Sequence, residues 1–151
     1  MMVELHFSTV VAASPDEVWR RVTTMDGVNA ELGPWIRMTH PADRSSLDVP
    51  DVPLNEVLFR SWVLLLGVLP LDRHALALER LHQRGFDERS SSWMQKVWIH
   101  RRRVEVAEGG ARVSDELRFE PRLQLLAPML RLVIGAIFRH RHRQLVRLFR
   151  K

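Results

Sequence analysis

With 151 residues, 46% of them hydrophobic and 27% charged, the chain predicts one globular domain over residues 1–151 with a substantial core. The absence of cysteine excludes disulfides, thiol chemistry and cysteine-ligated zinc. The formal net charge is +5, and arginine supplies every positive side chain except Lys96 and Lys151; this balance permits contact with a polyanion without requiring one.

The N-terminal residues, MMVELHF, lack the basic segment and the long apolar run of a secretory signal, so we expect a cytoplasmic protein. The apolar stretch Leu123–Phe138 is interrupted by Pro128 and Arg131. It is too short and too broken for a membrane span, which needs about 20 largely uncharged residues. The sequence therefore predicts a soluble protein.

The first two elements have clear local signals. Val3–Val11 alternates between apolar and polar residues, which predicts a strand with one solvated face. Ser14 then suits a helix N-cap, Pro15 suits the first helical position, and Glu17 completes a capping box. The sequence predicts a helix that starts here and ends at Gly27.

The middle of the chain is predicted to be mostly strand. Residues 28–33 allow a second short helix, and residues 35–39 allow a short edge strand. Residues 41–53 hold three prolines with several Ser and Asp residues, which indicates a loop. Strand candidates then follow at 54–66, 71–82, 86–95, 97–107 and 111–120.

The last two strand candidates form a hairpin around the glycine pair Gly109-Gly110, which favours a tight two-residue turn. With this turn Arg102 opposes Leu117, and Asp115 lies diagonally from Arg102, within reach of its side chain. Alternation places a mostly apolar set on one face: Trp98, His100, Arg102, Val104, Val106, Val113, Asp115, Leu117 and Phe119.

That face carries His100, Arg102 and Asp115, and a buried charge is costly unless it is paired. One interpretation is an internal ion pair that stabilises the hairpin. A compatible interpretation is a polar anchor for the carbonyl or hydroxyl of a ligand in an apolar cavity. A third is catalytic, with Asp115 or His100 as a general base.

Residues 123–149 predict one long helix with Pro128 near its start or at a kink. Apolar side chains recur at helical spacing along Leu126, Leu130, Val133, Ile137, Gln144 or Leu145, and Leu148. Within this helix, Arg139–Arg143 reads RHRHR, which we expect to be a solvated helix end. The two histidines point to opposite sides and cannot chelate one metal ion as a pair. The alternative is contact with the phosphates of nucleic acid or anionic lipid.

The run Trp62–Leu71, WVLLLGVLPL, is apolar on both faces and is interrupted by Gly67 and Pro70. A strand-to-strand turn should fall there, and not all of its leucines can be buried. We expect Leu66, Val68 and Leu69 to lie beside the entrance of a cavity, with packing onto a partner chain as the rival explanation.

The predicted order is strand, helix, short helix, about six antiparallel strands and one long helix, which indicates an α+β fold. This order resembles the helix-grip fold of the START-related (SRPBCC) superfamily, in its bacterial ligand-binding branch. The resemblance rests on SPDEVW after the first strand, Trp98-x-His100 before the glycine pair, VSDELRF, and FRHRHRQLVRLF. It implies a curved antiparallel sheet of about seven strands wrapped around the C-terminal helix, with two short helices after the first strand.

The resemblance also implies a cavity for an apolar small molecule, although the superfamily includes both carriers and enzymes. Our leading hypothesis is that the protein binds, and in one version transports, a small hydrophobic molecule such as a lipid, isoprenoid or polyketide. We expect the ligand between the sheet and the C-terminal helix, without cofactor, metal or catalytic residue. The candidate ligand-binding residues are Trp98, His100, Arg102, Asp115, Leu117, Phe119, Leu130, Val133 and Ile137.

Two alternatives stay open. One is an enzyme of the polyketide cyclase or dehydratase type that uses the same cavity. The other is a basic module that contacts RNA or a membrane surface. The first hypothesis predicts no nucleic acid partner, and it is compatible with peripheral membrane contact and with a monomer or a homodimer. The sequence has no G-x-G-x-x-G, P-loop, H-E-x-x-H or G-x-S-x-G motif, so nucleotide-dependent and common hydrolase chemistry are unsupported.

Overall fold

The computed structural model describes residues 2–150. Seven strands form one antiparallel sheet in the order β1-β7-β6-β5-β4-β3-β2. The strands are β1 (Val3–Val11), β2 (Ile36–Met38), β3 (Val57–Leu65), β4 (Leu69–His82), β5 (Gly85–Ser92), β6 (Gln95–Ala107) and β7 (Gly110–Pro121). The helices are α1 (Pro15–Val22), α2 (Met25–Leu32) and α3 (Ala127–Leu148), and a short 3-10 turn at Gln124–Leu126 precedes α3.

The sheet curls into a half-barrel, and α3 packs inside the curl against β1 and α2. This is the predicted helix-grip α+β fold, with seven strands and two short helices after the first strand. Two groups of buried apolar side chains form the core. One joins α1 to the inner face of the sheet, and the other joins the N-terminal half of α3 to β1 and β7. Within residues 2–150, none of the helices has both the length and the apolar character needed to cross a membrane.

The predicted start of α1 is confirmed, but its predicted end is wrong. The Ser14 Oγ accepts a hydrogen bond from the Glu17 N–H (3.2 Å), as the capping box requires. The helix ends at Val22, and Thr24 caps α2 by accepting from the Gly27 N–H (2.9 Å). Gly27 therefore lies in the first turn of α2. A Cβ there would lie 1.9 Å from the carbonyl oxygen of Arg21, so glycine allows the two short helices to follow one another closely.

The β6–β7 hairpin differs from the prediction in register. Ala107 pairs with Gly110, so the two-residue turn is Glu108-Gly109, and Arg102 lies directly opposite Asp115. The pairing is displaced by two residues from the predicted one. Because side chains alternate with a period of two, this displacement leaves every side chain on its predicted face.

The two glycines of this hairpin have different roles, which explains the error in register. Gly109 supplies a positive φ of 88° in the turn, with open space around it. Gly110 belongs to β7 and has a φ of 148°, and a Cβ there would lie 2.0 Å from the carbonyl oxygen of Val11. Glycine at 110 therefore permits the close approach of β1, and only Gly109 belongs to the turn.

The long helix begins at Ala127, later than residue 123, because Pro128 occupies its first turn, where a missing N–H costs nothing. Its buried residues also differ from the predicted stripe. They are Leu130, Ile134, Gly135, Phe138, Arg141, His142 and Leu145. Val133 and Ile137 lie beside this stripe and are less buried than its members.

Candidate functional site

A cavity of about 420 Å³ lies between α3 and the inner face of β3–β6, with α2 and β2 along one side. Its walls are mainly apolar, with contributions from Leu32, Ile36, Leu76, Phe86 and Trp98 among others. At one end Met129 and Val133 of α3 are about half exposed, and at the other end Met25 and Leu32 are buried. The cavity is therefore open to solvent near the N-terminal end of α3 and closed near α2.

A small number of polar side chains interrupt the apolar wall. They are Asp72, His74, Glu88, Ser92, Gln95, His100 and Arg141. Gln95 is buried, and its side-chain oxygen has no hydrogen-bond partner among residues 2–150. An apolar cavity with a few polar groups is the usual construction of a small-molecule site.

Behind the wall, the ionisable residues that alternation places on one face of the β6–β7 hairpin form an ion-pair network. Arg102 and Asp115 are fully buried and form a bidentate pair, with both nitrogen–oxygen distances 2.8 Å. The other edge of the Arg102 guanidinium donates to both oxygens of Glu31 in α2, at 2.9 and 2.8 Å. The ion-pair interpretation is thus confirmed in geometry, and it has a second carboxylate that the sequence did not indicate.

Two further residues bring α3 into this network. Arg141 donates from Nε to Glu31 (3.1 Å), and His142 Nε2 contacts Asp115 (2.7 Å). His140 Nε2 also contacts the backbone oxygen of Gly33 (2.7 Å). The expectation that RHRHR is a solvated helix end is therefore wrong for three of its five residues. They fall on the side of α3 that faces α2 and the sheet, and of this segment only Arg139 and Arg143 are exposed.

A second branch connects the network to the cavity. His100 Nε2 contacts Asp115 (2.6 Å), and its Nδ1 lies 3.6 Å from Glu88. Glu88 in turn contacts His74 Nε2 (2.6 Å) and accepts a hydrogen bond from the Ser90 hydroxyl (2.6 Å). His74, Glu88 and His100 all line the cavity, so a continuous chain of polar contacts runs from its wall to α2.

The charges of this network compensate one another. Burial disfavours ionisation of Asp115, but the Arg102 guanidinium and His100 hold its pKa well below the usual range. Burial likewise opposes ionisation of Glu31 and Glu88, whose pKa values are nevertheless lowered, by Arg102 and Arg141 and by His74 and His100 respectively. The three carboxylates therefore stay ionised.

Burial would lower the pKa of His100, but the carboxylates of Asp115 and Glu88 raise it above the ordinary value. The proton of His100 then adds to the charges of Arg102 and Arg141. These three cations lie among the carboxylates, so that Glu31, Glu88 and Asp115 each have a cation beside them.

The predicted ligand-binding residues fall into two groups. Trp98, His100, Leu130, Val133 and Ile137 line the cavity. Four others lie behind its wall: Arg102, Asp115, Leu117 and Phe119. The two ionic residues are enclosed by Glu31 and α3, and the two apolar residues pack in the core cluster with Leu130 and Ile134. The nine predicted ligand-binding residues therefore do not all line the cavity: Arg102, Asp115, Leu117 and Phe119 lie behind its wall.

The three predicted entrance residues, Leu66, Val68 and Leu69, are exposed around the β3–β4 turn. Leu66 and Gly67 have positive φ values of 53° and 77° and form the tight turn. These three residues do not line the cavity, but Val63 and Leu71 of the same hairpin do. A role of the turn at the cavity entrance remains a prediction.

Sequence reasoning missed five polar residues of the network: Glu31, His74, Glu88, Arg141 and His142. Two sequence patterns indicate that some of these residues are buried. One face of β5 carries the alternating residues Phe86, Glu88, Ser90 and Ser92. On α3, the helical spacing that places Ile134, Phe138 and Leu145 on the buried face also places residues 141 and 142 there. No local signal indicated Glu31, because α2 is only eight residues long.

Within residues 2–150, no group of three or more His, Asp or Glu side chains is placed to hold a metal ion. The histidines of the network contact carboxylates instead: His74 contacts Glu88, His142 contacts Asp115, and His100 lies between Asp115 and Glu88. The arrangement can therefore orient imidazoles and a guanidinium at an apolar cavity.

Comparison with solved structures shows which known fold the chain shares. The fold is similar to protein CV1439 from Chromobacterium violaceum, with a TM-score of 0.74, 12% identity, and coverage of 98% of this chain and 97% of that one. It is also similar to a START superfamily protein from Mycobacterium smegmatis, with a TM-score of 0.64, 13% identity, and coverage of 98% and 96%. Ara h 8.0201 has a TM-score of 0.57 at 12% identity, with coverage of 96% and 98%. The chain therefore has a START-like (SRPBCC) fold.

The family is shown by a match over most of the sequence. Residues 9–149 match the family described as Domain of unknown function (DUF8410), and the chain belongs to that family. No curated protein shows significant similarity to the chain.

Proposed function

We propose that this domain binds one small, predominantly apolar molecule, such as a lipid, isoprenoid or polyketide, in the cavity between the sheet and α3. The observation that carries the proposal is the cavity itself, with about 420 Å³ of space, apolar walls and a few polar groups. This volume falls within the range of ligand sites, about 300–1,000 Å³. The START-like fold supports ligand binding in general. A carrier role and the predicted cytoplasmic location belong to this proposal.

A titration with the neutral apolar dye Nile red tests the proposal. Val133 lines the cavity and is 47% exposed, so Val133→Trp should fill the open end without disturbing the buried core. Leu132 is the adjacent residue, is 70% exposed and does not line the cavity, which makes Leu132→Trp the matched control. We expect saturable binding to the wild type and to Leu132→Trp, and at least about tenfold weaker binding to Val133→Trp, since the added ring displaces the dye. Equal affinity in all three proteins would contradict the proposal.

A second candidate function is catalysis in the same cavity, and one contact favours it. His74 lines the cavity, and Glu88 holds its Nε2 at 2.6 Å, which is how a carboxylate orients a general base. Asp115, in contrast, lies behind the wall and cannot reach a bound substrate. A cyclase or dehydratase of this type would remove a proton next to a carbonyl group. Deuterium exchange at the α-carbon of a β-ketoacyl thioester, faster with wild type than with His74→Gln, would support it, whereas equal rates would oppose it.

A further inference from the structure

Arg141 is a buried cation on the cavity wall whose pairing is incomplete. Its side chain is 9% exposed, and it makes one hydrogen bond, from Nε to Glu31 (3.1 Å). Its Nη1 and Nη2 have no acceptor among residues 2–150, and its guanidinium carbon lies 4.8 Å from the centre of the Phe138 ring. These two nitrogens are not among the fully buried, unpaired polar atoms of residues 2–150, so they face accessible space in the cavity, where an acceptor can reach them.

The protein's own carboxylates cannot complete this pairing. Both oxygens of Glu31 already accept hydrogen bonds from Arg102, so Arg141 shares one of them. Asp115 is occupied by Arg102, His100 and His142. An acceptor for the terminal nitrogens of Arg141 must therefore come from outside the chain.

The two carboxylate side chains on the cavity wall, Glu88 and Asp72, already have partners within the chain. Glu88 contacts His74 and Ser90 and lies 3.6 Å from His100. Asp72 accepts hydrogen bonds from the backbone N–H groups of Arg73 (2.8 Å) and Met94 (3.2 Å). Among residues 2–150, Arg141 is the one arginine or lysine that lines the cavity, and two of its nitrogens have unused donors.

The position of Arg141 also indicates how an elongated ligand would be oriented in the cavity. Met129 and Arg141 both line the cavity, and twelve residues of helix separate them, which corresponds to about 18 Å along α3. Arg141 lies at the closed end near α2, and Met129 lies at the solvent-exposed end. An elongated molecule would place its polar group at Arg141 and its apolar body along α3.

We propose that the ligand is an amphipathic carboxylic acid whose carboxylate accepts hydrogen bonds from Nη1 and Nη2 of Arg141. This inference rests on the proposed binding function and adds the chemical class of the ligand to it. A guanidinium presents its N–H groups in a fork that matches the two oxygens of a carboxylate. An alcohol or an ester of the same chain offers neither the charge nor the paired oxygens.

Displacement of bound Nile red by three compounds of one chain length tests the inference: dodecanoate, methyl dodecanoate and 1-dodecanol. In the wild type we expect dodecanoate to displace the dye about tenfold or more better than the other two, the usual advantage of a hydrogen bond to a charged group. Arg141→Gln should abolish this preference and leave the affinities for ester and alcohol nearly unchanged. The matched control is Arg139→Gln, because Arg139 is an exposed arginine on the same helix and does not line the cavity.

The outcomes separate this inference from the proposed function. If Nile red and all three compounds fail to bind the wild type, the proposed function fails. If the dye binds but ester, alcohol and acid compete equally, only the carboxylate inference is overturned. If Arg141→Gln is less stable but keeps the preference for the acid, Arg141 has a structural role alone, and the inference is also overturned.

A measurement on the wild type keeps the inference testable if Arg141→Gln does not fold. The carboxyl resonance of ¹³C-labelled dodecanoate should titrate at a lower pH when bound than when free, because a neighbouring guanidinium favours the ionised form. An unchanged or higher titration point would overturn the inference.

Discussion

The pair formed by Arg102 and Asp115 shows how individual residues keep charge inside this protein. Both are fully buried, and each donor of Arg102 that meets Asp115 or Glu31 does so within 2.9 Å. Breaking such a pair from one side is costly because it leaves a buried charge without its partner. A buried ion pair need not make the protein more stable than apolar side chains in the same place would. We therefore infer that the network around this pair fixes the positions of α2 and α3 on the sheet.

Replacing Asp115 by Asn should therefore destabilise the fold by about 3–5 kcal/mol, measured by urea unfolding, because Arg102 and His100 lose a buried counterion. Glu4→Gln is the control, since Glu4 pairs with Arg118 on the exposed face of the sheet (3.1 Å). Exposed pairs contribute less than about 1 kcal/mol. A loss for Asp115→Asn as small as that of the control would contradict the buried pair.

His100 should make stability depend on pH above neutrality. Its folded pKa is raised, so its contribution is complete below the unfolded pKa of about 6.5 and is lost as pH rises through the folded value. The carboxylates it contacts have lowered pKa values and stay ionised in this window. The difference in unfolding free energy between wild type and His100→Gln, measured from pH 6 to 9, should shrink as pH rises. A constant difference would mean that His100 does not carry the proton.

Among the secondary-structure elements, the β6–β7 hairpin depends on two glycines for different reasons. Gly110→Ala should be the more destabilising of two matched changes, because the new Cβ would overlap the backbone of Val11 in β1. Gly109→Ala meets no atom and costs only the strain of a positive φ, roughly 1 kcal/mol. Thermal unfolding of both variants tests this order, and a larger loss for Gly109→Ala would contradict the observed register.

The β3–β4 turn carries the exposed apolar residues Leu66, Val68 and Leu69, next to the wall residues Val63 and Leu71. If the turn lies at the cavity entrance, residues 64–71 should exchange amide hydrogens more slowly when Nile red is bound, because a ligand below the turn limits its opening. Equal exchange with and without dye would oppose an entrance role. Protection that increases with protein concentration would indicate contact between two copies.

Elements with a regular period could be predicted from the sequence, and irregular ones could not. β1 and the start of α1 were predicted because alternation and capping are local properties of the chain. In β3 and β4, register shifts between Val57 and Phe59 and between Leu78 and Arg80 interrupt the alternation, so the inner face could not be read. On α3, Arg141 and His142 were interpreted as solvated because their partners, Glu31 and Asp115, are distant in sequence.

For the whole molecule, the predicted order of elements was sufficient to give the START-like fold, but it could not show which site residues line the cavity and which lie behind its wall. Faces of single strands follow from alternation, whereas the depth of a residue depends on which helix covers it. His100 and Arg102 share one face of β6; His100 lines the cavity, while Arg102 is enclosed by Glu31 of α2. The cavity thus lies between α3 and strands β3–β6, whereas α3 packs directly against β1 and β7.

The central claim is that a small molecule lies between the sheet and α3, and isotope-filtered NOE spectra test it most directly. With unlabelled Nile red bound to ¹³C-labelled protein, we expect contacts from the dye both to Met38 and Leu76 of the sheet and to Val133 and Ile137 of α3. Only a molecule inside the cavity can contact both layers together. Contacts confined to exposed side chains such as Leu132 would contradict the claim.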